Sequence, residues 1–262
     1  MPDSVLLDRT EGVATVTLHR PASMNSLSTQ MKESLLATLS EIRADSRVRA
    51  VVLTGAGSAF CVGQDLREHA ALLASGDPRP LQTVREHYNP IALELVQMPK
   101  PVVAAVNGMA AGAGAALAFA CDFRIAGEGS GFLLAFARVG LSADTGASWT
   151  LPRLVGHAKA TALMMLAEPV TPAQALEMGL ITAVAPDDRV LAAAHELASR
   201  LAAGPTLAYA CIKEALAFGG SAGLADALER EAVLQARAGA SADHRNATAA
   251  FLAKAPPVFE GR

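Results

Sequence analysis

The chain has 262 residues, 52% of them hydrophobic and 18% charged, with a formal net charge of −3. That leaves room for one large core plus a helical addition, and the slight acidity gives a nucleic acid no electrostatic footing. Met1-Pro2-Asp3-Ser4 sets no basic region ahead of an apolar run, and the alanine-rich stretches are broken by Gly, Pro or charge before a membrane span's length, so cytoplasmic residence without membrane contact is expected.

In chain order, Val13 to His19 alternates as a strand, and Leu27, Met31, Leu35, Leu39 and Ile42 recur at helical spacing. Val48 to Thr54 returns to strand. Gly55-Ala56-Gly57 follows, and Ala59-Phe60-Cys61-Val62-Gly63-Gln64-Asp65-Leu66 makes a tight passage from strand to helix. From Leu66 to Tyr88 the pattern is weak, and Asp77-Pro78-Arg79-Pro80 marks a loop that serves either as a flap over a pocket or as a linker. Behind Pro99 and Pro101, Val102 to Val106 reads as a buried strand. Gly112, Ala113, Gly114 and Ala115 then present almost no side chain, while Ala116 to Ala120 favour helix, so the helix is expected to begin inside the small-residue run. Its first-turn N–H groups lack intrahelical acceptors and sit at the positive end of the dipole, where they suit developing negative charge on a ligand oxygen. Close packing of helix on strand explains the same composition, and the run lacks the lysine and hydroxyl of a P-loop.

Gly140-Leu141-Ser142-Ala143-Asp144-Thr145-Gly146-Ala147-Ser148-Trp149 sets Asp144 just after a short apolar segment, at the expected start of a helix, where a plain N-cap is the competing role. Thr171-Pro172 supplies an N-cap and a proline at the first helical position. Beyond Ile181 to Ala185 the chain is expected to form helices at about Asp188–Ala203, Pro205–Phe218, Leu224–Ala238 and Ala242–Lys254. Leu224, Leu228, Val233 and Leu234 spread apolar surface over several faces, to be buried against another subunit or against the chain's own core. The six histidines show no HExxH or other tight ligand spacing, so no metal site is expected. Cys61, Cys121 and Cys211 are odd in number and lie in apolar contexts, which fits buried free thiols better than disulfides. Ser142 and Ser148 lack the GxSxG elbow of a serine hydrolase.

The ordered fragments together carry a resemblance. They are Leu18-His19-Arg20-Pro21 with Asn25, AFCVGQDL, AAVNGMAAGAG with Cys121-Asp122, LPRLVG from Leu151, Ala175 to Ile181, and Phe251-Leu252-Ala253-Lys254. Over essentially the whole chain they resemble the enoyl-CoA hydratase/isomerase (crotonase) superfamily. The resemblance implies an α/β fold, a ClpP-like spiral of ββα units with a C-terminal helical region. It places the acyl-CoA site in residues 1–200 and assigns 201–262 to oligomerisation, as a homotrimer or homohexamer. An acyl-CoA thioester is the implied substrate, with no cofactor beyond its coenzyme A moiety. In the family two backbone N–H groups polarise the thioester carbonyl, and the matching positions are Gln64 and Ala113, flanked by Val62, Gly63 and Gly112. Neither donor depends on its side chain. Arg20 and Lys254 match positions that meet the CoA phosphates, and they read equally as solvated charges. Asp65 either orients the loop after Gly63 or caps the following helix.

The departures bear on the reaction. The two glutamates that hydratases of the family use as acid and base align with Ala116 and Phe136, and neither moves a proton. Similarity therefore speaks for the scaffold and not for hydration. Asp144 stands in a GLxxDxG context, with Ala135-Phe136 upstream and Trp149 and Leu151-Pro152-Arg153 downstream. This resembles the branch that isomerises ring-1,2-epoxyphenylacetyl-CoA and related unsaturated acyl-CoAs, except that Ala143 replaces the usual proline. A single carboxylate suffices to take a proton alpha or gamma to the thioester and return it elsewhere. A wall of Phe136 and Trp149 is expected to raise its proton affinity. Three readings follow: an isomerase with Asp144 as sole acid/base, a hydratase with an atypical acid, and an acyl-CoA-binding subunit that kept the scaffold and lost its acids.

Overall fold

The computed structural model describes residues 3–262; Met1 and Pro2 lie outside the described residues. In chain order, β1 (Val5–Thr10) and β2 (Val13–Leu18) form a hairpin, followed by α1 (Thr29–Ala44), β3 (Ala50–Gly55), β4 (Ala59–Cys61) and α2 (Leu66–Ala74). A single π turn, Val84–Tyr88, leads into α3 (Asn89–Gln97), and then come β5 (Val102–Val106), β6 (Met109–Ala111) and α4 (Ala113–Ala120). The third unit is β7 (Phe123–Gly127) and β8 (Gly131–Leu133), followed by a 3-10 turn at Ala135–Val139, α5 (Ala147–Val155), α6 (His157–Leu166) and α7 (Pro172–Glu177). β9 (Ala183–Ala185), α8 (Val190–Ala202), α9 (Thr206–Gly219), α10 (Leu224–Gly239) and α11 (Ala242–Leu252) complete the chain.

Successive units give their first strand to one sheet and their second to another. The larger sheet runs β1-β2-β3-β5-β7-β9 and the smaller β4-β6-β8. Beyond the antiparallel β1–β2 pair every neighbour is parallel. This is the spiral of ββα units expected from the sequence. Both faces of the large sheet are covered, so β3 and β5 are buried along their whole length. Val51, Leu53, Val102 and Ala104 turn to one core with Leu35 and Leu39 of α1 and Leu117 of α4. Ala50, Val52, Val103 and Ala105 turn to a second core against Val190, Ala194, Ala198 and Ala202 of α8. The period-two alternation of one strand thus feeds two cores, each buried Val or Leu contributing roughly 1.5–3 kcal/mol.

Capping sets the helix starts. Ser28 accepts from the Met31 N–H at 3.2 Å, and Thr171 and Gln174 form a reciprocal capping box. The division at residue 200 falls inside α8, which packs on the large sheet; the helices that stand away from it begin with α9. α9 is tied to the spiral by Lys213, whose ammonium lies 2.7 Å from the Asp122 carboxylate. Among the described residues no helix is long and apolar enough to cross a membrane.

Candidate active site

Two strand-to-helix passages lie against each other at the ends of β4 and β6. A side chain on Gly63, whose φ is +87°, would put its Cβ 2.9 Å from the Ala111 carbonyl oxygen and 3.3 Å from the Ala113 nitrogen. One on Gly114 would meet the Cys61 carbonyl oxygen at 2.0 Å. Glycine at these two positions is therefore the condition for bringing the passages together. Leu27 N–H donates to Gly63 O at 2.7 Å and Asp65 N–H to Leu27 O at 3.2 Å, which leaves the Gln64 N–H between them without an acceptor among the described residues. Ala113 is the first residue of α4, and its N–H likewise has no acceptor among the described residues.

Gln64 and Ala113 line one cavity, together with Val62, Gly63, Gly112, Phe136 and Asp144. Its remaining walls are Leu66 and His69 of α2, Leu81, Thr83, Val84 and Tyr88, and Ala135, Val139 and Leu141 beyond β8. The Leu66–Tyr88 segment, ambiguous as flap or linker, is thus a wall of this cavity. Phe136 is 8% exposed within the 3-10 turn, and Ala116 is buried in α4 away from the cavity.

Asp144 is the single carboxylate among the lining residues. Burial pushes its carboxyl above the ordinary carboxylate value, opposed by the Thr145 hydroxyl, which donates to Oδ1 at 2.7 Å, and by the Lys32 ammonium. The competing N-cap role is absent: α5 begins at Ala147, Gly146 occupies the cap position, and no side chain caps the helix. Thr145 is fully buried and left-handed, with φ of 53°, a costly conformation for a β-branched residue.

Trp149 does not join the wall around Asp144. It is 37% exposed, lines a different hollow with Ala92 and Val96, and carries the Arg153 guanidinium 3.9 Å above its ring. The apolar surroundings come instead from Phe136, Val139, Leu141 and the segment after α2. Arg20 and Lys254 are not on the cavity either. The Arg20 guanidinium bonds the Asp65 carboxylate at 2.9 Å and the Ser26 carbonyl at 2.6 Å, and Lys254 is exposed beyond α11. Asp65 caps α2, accepting from the Arg67 and Glu68 N–H groups. Burial alone would raise its carboxyl, and the bonds from Arg20, Glu68 and Arg67 hold it below the ordinary value.

Sequence reasoning missed the polar group behind Gln64. The Lys32 ammonium donates to Gln64 Oε1 at 3.3 Å and to Thr83 Oγ1 at 2.5 Å, and Tyr88 also donates to Gln64 Oε1. Burial raises the Tyr88 phenol, so it stays protonated and acts as a donor. Cys61 and Cys121 are buried free thiols, each pushed up to about 12 by burial, and Cys211 is also buried and free. The described residues contain no cluster of three or more His, Cys, Asp or Glu side chains able to hold a metal ion.

A family model described as enoyl-CoA hydratase/isomerase matches residues 8–262. The chain is 39% identical to the 1,2-epoxyphenylacetyl-CoA isomerase of Escherichia coli K12 over 262 residues, with all of both chains covered. It is 45% identical over 253 residues, 96% of each chain, to a Rhodobacter capsulatus protein provisionally named an enoyl-CoA hydratase. A crystal structure from Mycobacterium abscessus, provisionally described as an enoyl-CoA hydratase/isomerase, superposes with a TM-score of 0.94 at 45% identity. It covers 98% of this chain and 100% of that one.

Proposed function

The chain belongs to the enoyl-CoA hydratase/isomerase family, and from that premise we propose that it is an acyl-CoA isomerase in which Asp144 is the sole acid/base. The observation that carries this reading is the cavity itself, where two free backbone N–H groups share the lining with a single carboxylate. The thioester carbonyl oxygen lies between the Gln64 and Ala113 amides, which bind an enolate oxyanion more strongly than the neutral carbonyl; that difference lowers the barrier. Asp144 takes a proton alpha to the thioester of a β,γ-enoyl chain, the electron pair delocalises onto the oxygen, and the same carboxyl returns the proton at the gamma carbon. The double bond shifts with no net change in atoms or oxidation state, so nothing beyond the substrate's own coenzyme A is required. A ring epoxide whose carbon lies beta to the thioester carbonyl is the second substrate class that suits the same enolate chemistry: loss of the alpha proton to Asp144 lets the enolate electron pair break the C–O bond, and the alkoxide takes the proton back.

Hydration is the alternative, favoured by His69, an imidazole on the same cavity that would be a second proton carrier for a water. Proton exchange by NMR in deuterated buffer, on β,γ-enoyl-CoA thioesters, tests the choice. Deuterium incorporation with double-bond migration, lost in Asp144→Asn while CoA-ester binding persists, supports isomerisation. A 3-hydroxyacyl product would establish hydration, and undiminished exchange in Asp144→Asn would remove Asp144 from the chemistry. The exposed Ile212, Leu216, Leu228 and Phe251 of α9–α11 support self-association as a homotrimer or homohexamer, which light-scattering mass determination checks.

A further inference from the structure

Gln64 meets the cavity with its side chain as well as its backbone N–H, and that side chain is held at one end. The ammonium of Lys32, a residue 1% exposed, donates to Gln64 Oε1 at 3.3 Å, and the Tyr88 hydroxyl donates to the same oxygen. An ammonium has no lone pair to offer, so the atom facing it is the carboxamide oxygen, and the NH2 group is turned away from both donors. Lys32 also donates to Thr83 Oγ1 at 2.5 Å, and Thr83 bonds His87 Nδ1 at 3.0 Å, which ties the clamp to α1 and to the π turn before α3. Gln64 Nε2 has no acceptor among the described residues, the Asp144 carboxylate included, and it is not sealed from open space.

We propose that the Gln64 carboxamide is a specificity-determining donor of the acyl cavity, its NH2 group binding an acceptor oxygen on the acyl chain and so favouring oxygen-substituted acyl groups over plain hydrocarbon ones. This rests on the reading above that the thioester oxygen lies at the Gln64 and Ala113 amides. With the carbonyl held by the backbone of the same residue, the side chain reaches chain atoms close to that carbonyl. The walls around it are apolar, with Leu66, Leu81, Val84, Phe136, Val139 and Leu141. A hydrocarbon chain packed among them takes water from the N–H without replacing its bond, whereas an ether, epoxide or carbonyl oxygen replaces it. Accepting from a cation polarises the carboxamide and strengthens its N–H as a donor, and the clamp fixes its direction before the substrate arrives, so little ordering is left to be done on binding. Of the two substrate classes proposed above, the epoxide carries such an oxygen and the β,γ-enoyl chain does not.

The test compares unreactive pairs by calorimetry, with no dependence on turnover. Each pair is a saturated acyl-CoA thioester and the same chain with one methylene replaced by an ether oxygen, at the third or fourth atom counted from the thioester carbonyl carbon. An ether accepts and cannot donate, so it reads the N–H alone. Wild type is expected to bind one of the ether analogues about three- to tenfold more tightly than its hydrocarbon partner. Gln64→Leu, which keeps the backbone amide, should abolish that preference. Gln64→Glu, which keeps the shape and the contact with Lys32 but brings no N–H, should abolish or reverse it. Tyr88→Phe, which frees the carboxamide to turn, should shrink the ratio of the two affinities, whereas a general loosening of the fold would lower both together. No preference at either position in wild type overturns the proposal, as does a preference that survives the Gln64 variants; should Gln64→Leu not fold, the wild-type pairs and Gln64→Glu decide it. Loss of proton exchange in Asp144→Asn with no ether preference would leave the isomerase reading standing and remove this one; a Gln64-dependent ether preference with exchange intact in Asp144→Asn would do the reverse.

Discussion

At the start of α2, Asp65 accepts from two helix N–H groups and from the Arg20 guanidinium. Before α5, Asp144 accepts, among the described residues, from the Thr145 hydroxyl alone, and Gly146 takes the cap position. Both aspartates follow an apolar segment and precede a helix, and both are partly or wholly removed from solvent. Their partners send them in opposite directions: Asp65 lies below the ordinary carboxylate value and Asp144 above it. A carboxylate that spends its lone pairs on N–H groups and a cation is part of the scaffold. One left with a single hydroxyl beside an open cavity keeps the capacity to exchange a proton.

Substituting each aspartate separates the two roles most strongly. Asp144→Asn should reduce solvent exchange into a β,γ-enoyl-CoA by about 10²–10⁴-fold, with CoA-ester affinity by calorimetry nearly unchanged. Asp65→Ala should instead cost about 2 kcal/mol in denaturant unfolding, through loss of a cap and a partly exposed ion pair. A full loss of exchange in Asp65→Ala at unchanged stability would erase the distinction. The pH dependence of stability sharpens it. Because the native value of Asp65 is depressed, its contribution is complete above about 3.8 and disappears as pH falls through the lower folded value. Asp144 has the opposite sign: the folded state holds its proton more tightly, so stability declines as pH rises from about 3.8 through the raised folded value. Asp144→Asn removes that penalty, and at pH 7 it should unfold at a slightly higher denaturant concentration than wild type, by about 1 kcal/mol.

Much of this contrast was readable in the residues, because backbone geometry and small side chains leave strong local signals. The strand at Val102–Val106, the helix start within the Gly112–Ala115 run and the Thr171 cap all match. What was not readable depended on direction. Lys32 sits beside Met31 in a helix whose Leu35 and Leu39 face the core, and nothing in that pattern shows a lysine turned inward to Gln64. Trp149 follows Asp144 by five residues, but the left-handed Thr145 and Gly146 redirect the chain, so the indole points to a different hollow. The same turn moves the helix start to Ala147 and frees Asp144 from capping. The roles of Tyr88 and Thr83 depend on how the weakly patterned Leu66–Tyr88 stretch folds back onto the cavity.

The smallest expected effect is also the finest test of what sets Asp144 apart. Thr145→Val keeps the shape and β-branching of the side chain, so the strain of a left-handed residue is nearly conserved and the hydroxyl is the principal loss. A hydrogen bond to the charged carboxylate favours ionisation, and removing it should move the acid limb of the kcat/KM profile upward by less than about one pH unit. Well above that limb, where the carboxylate is ionised in both proteins, the rates should converge. A rate lowered equally at every pH would instead mean that Thr145 fixes where Asp144 points. Its hydroxyl would then belong, like the partners of Asp65, to the scaffold.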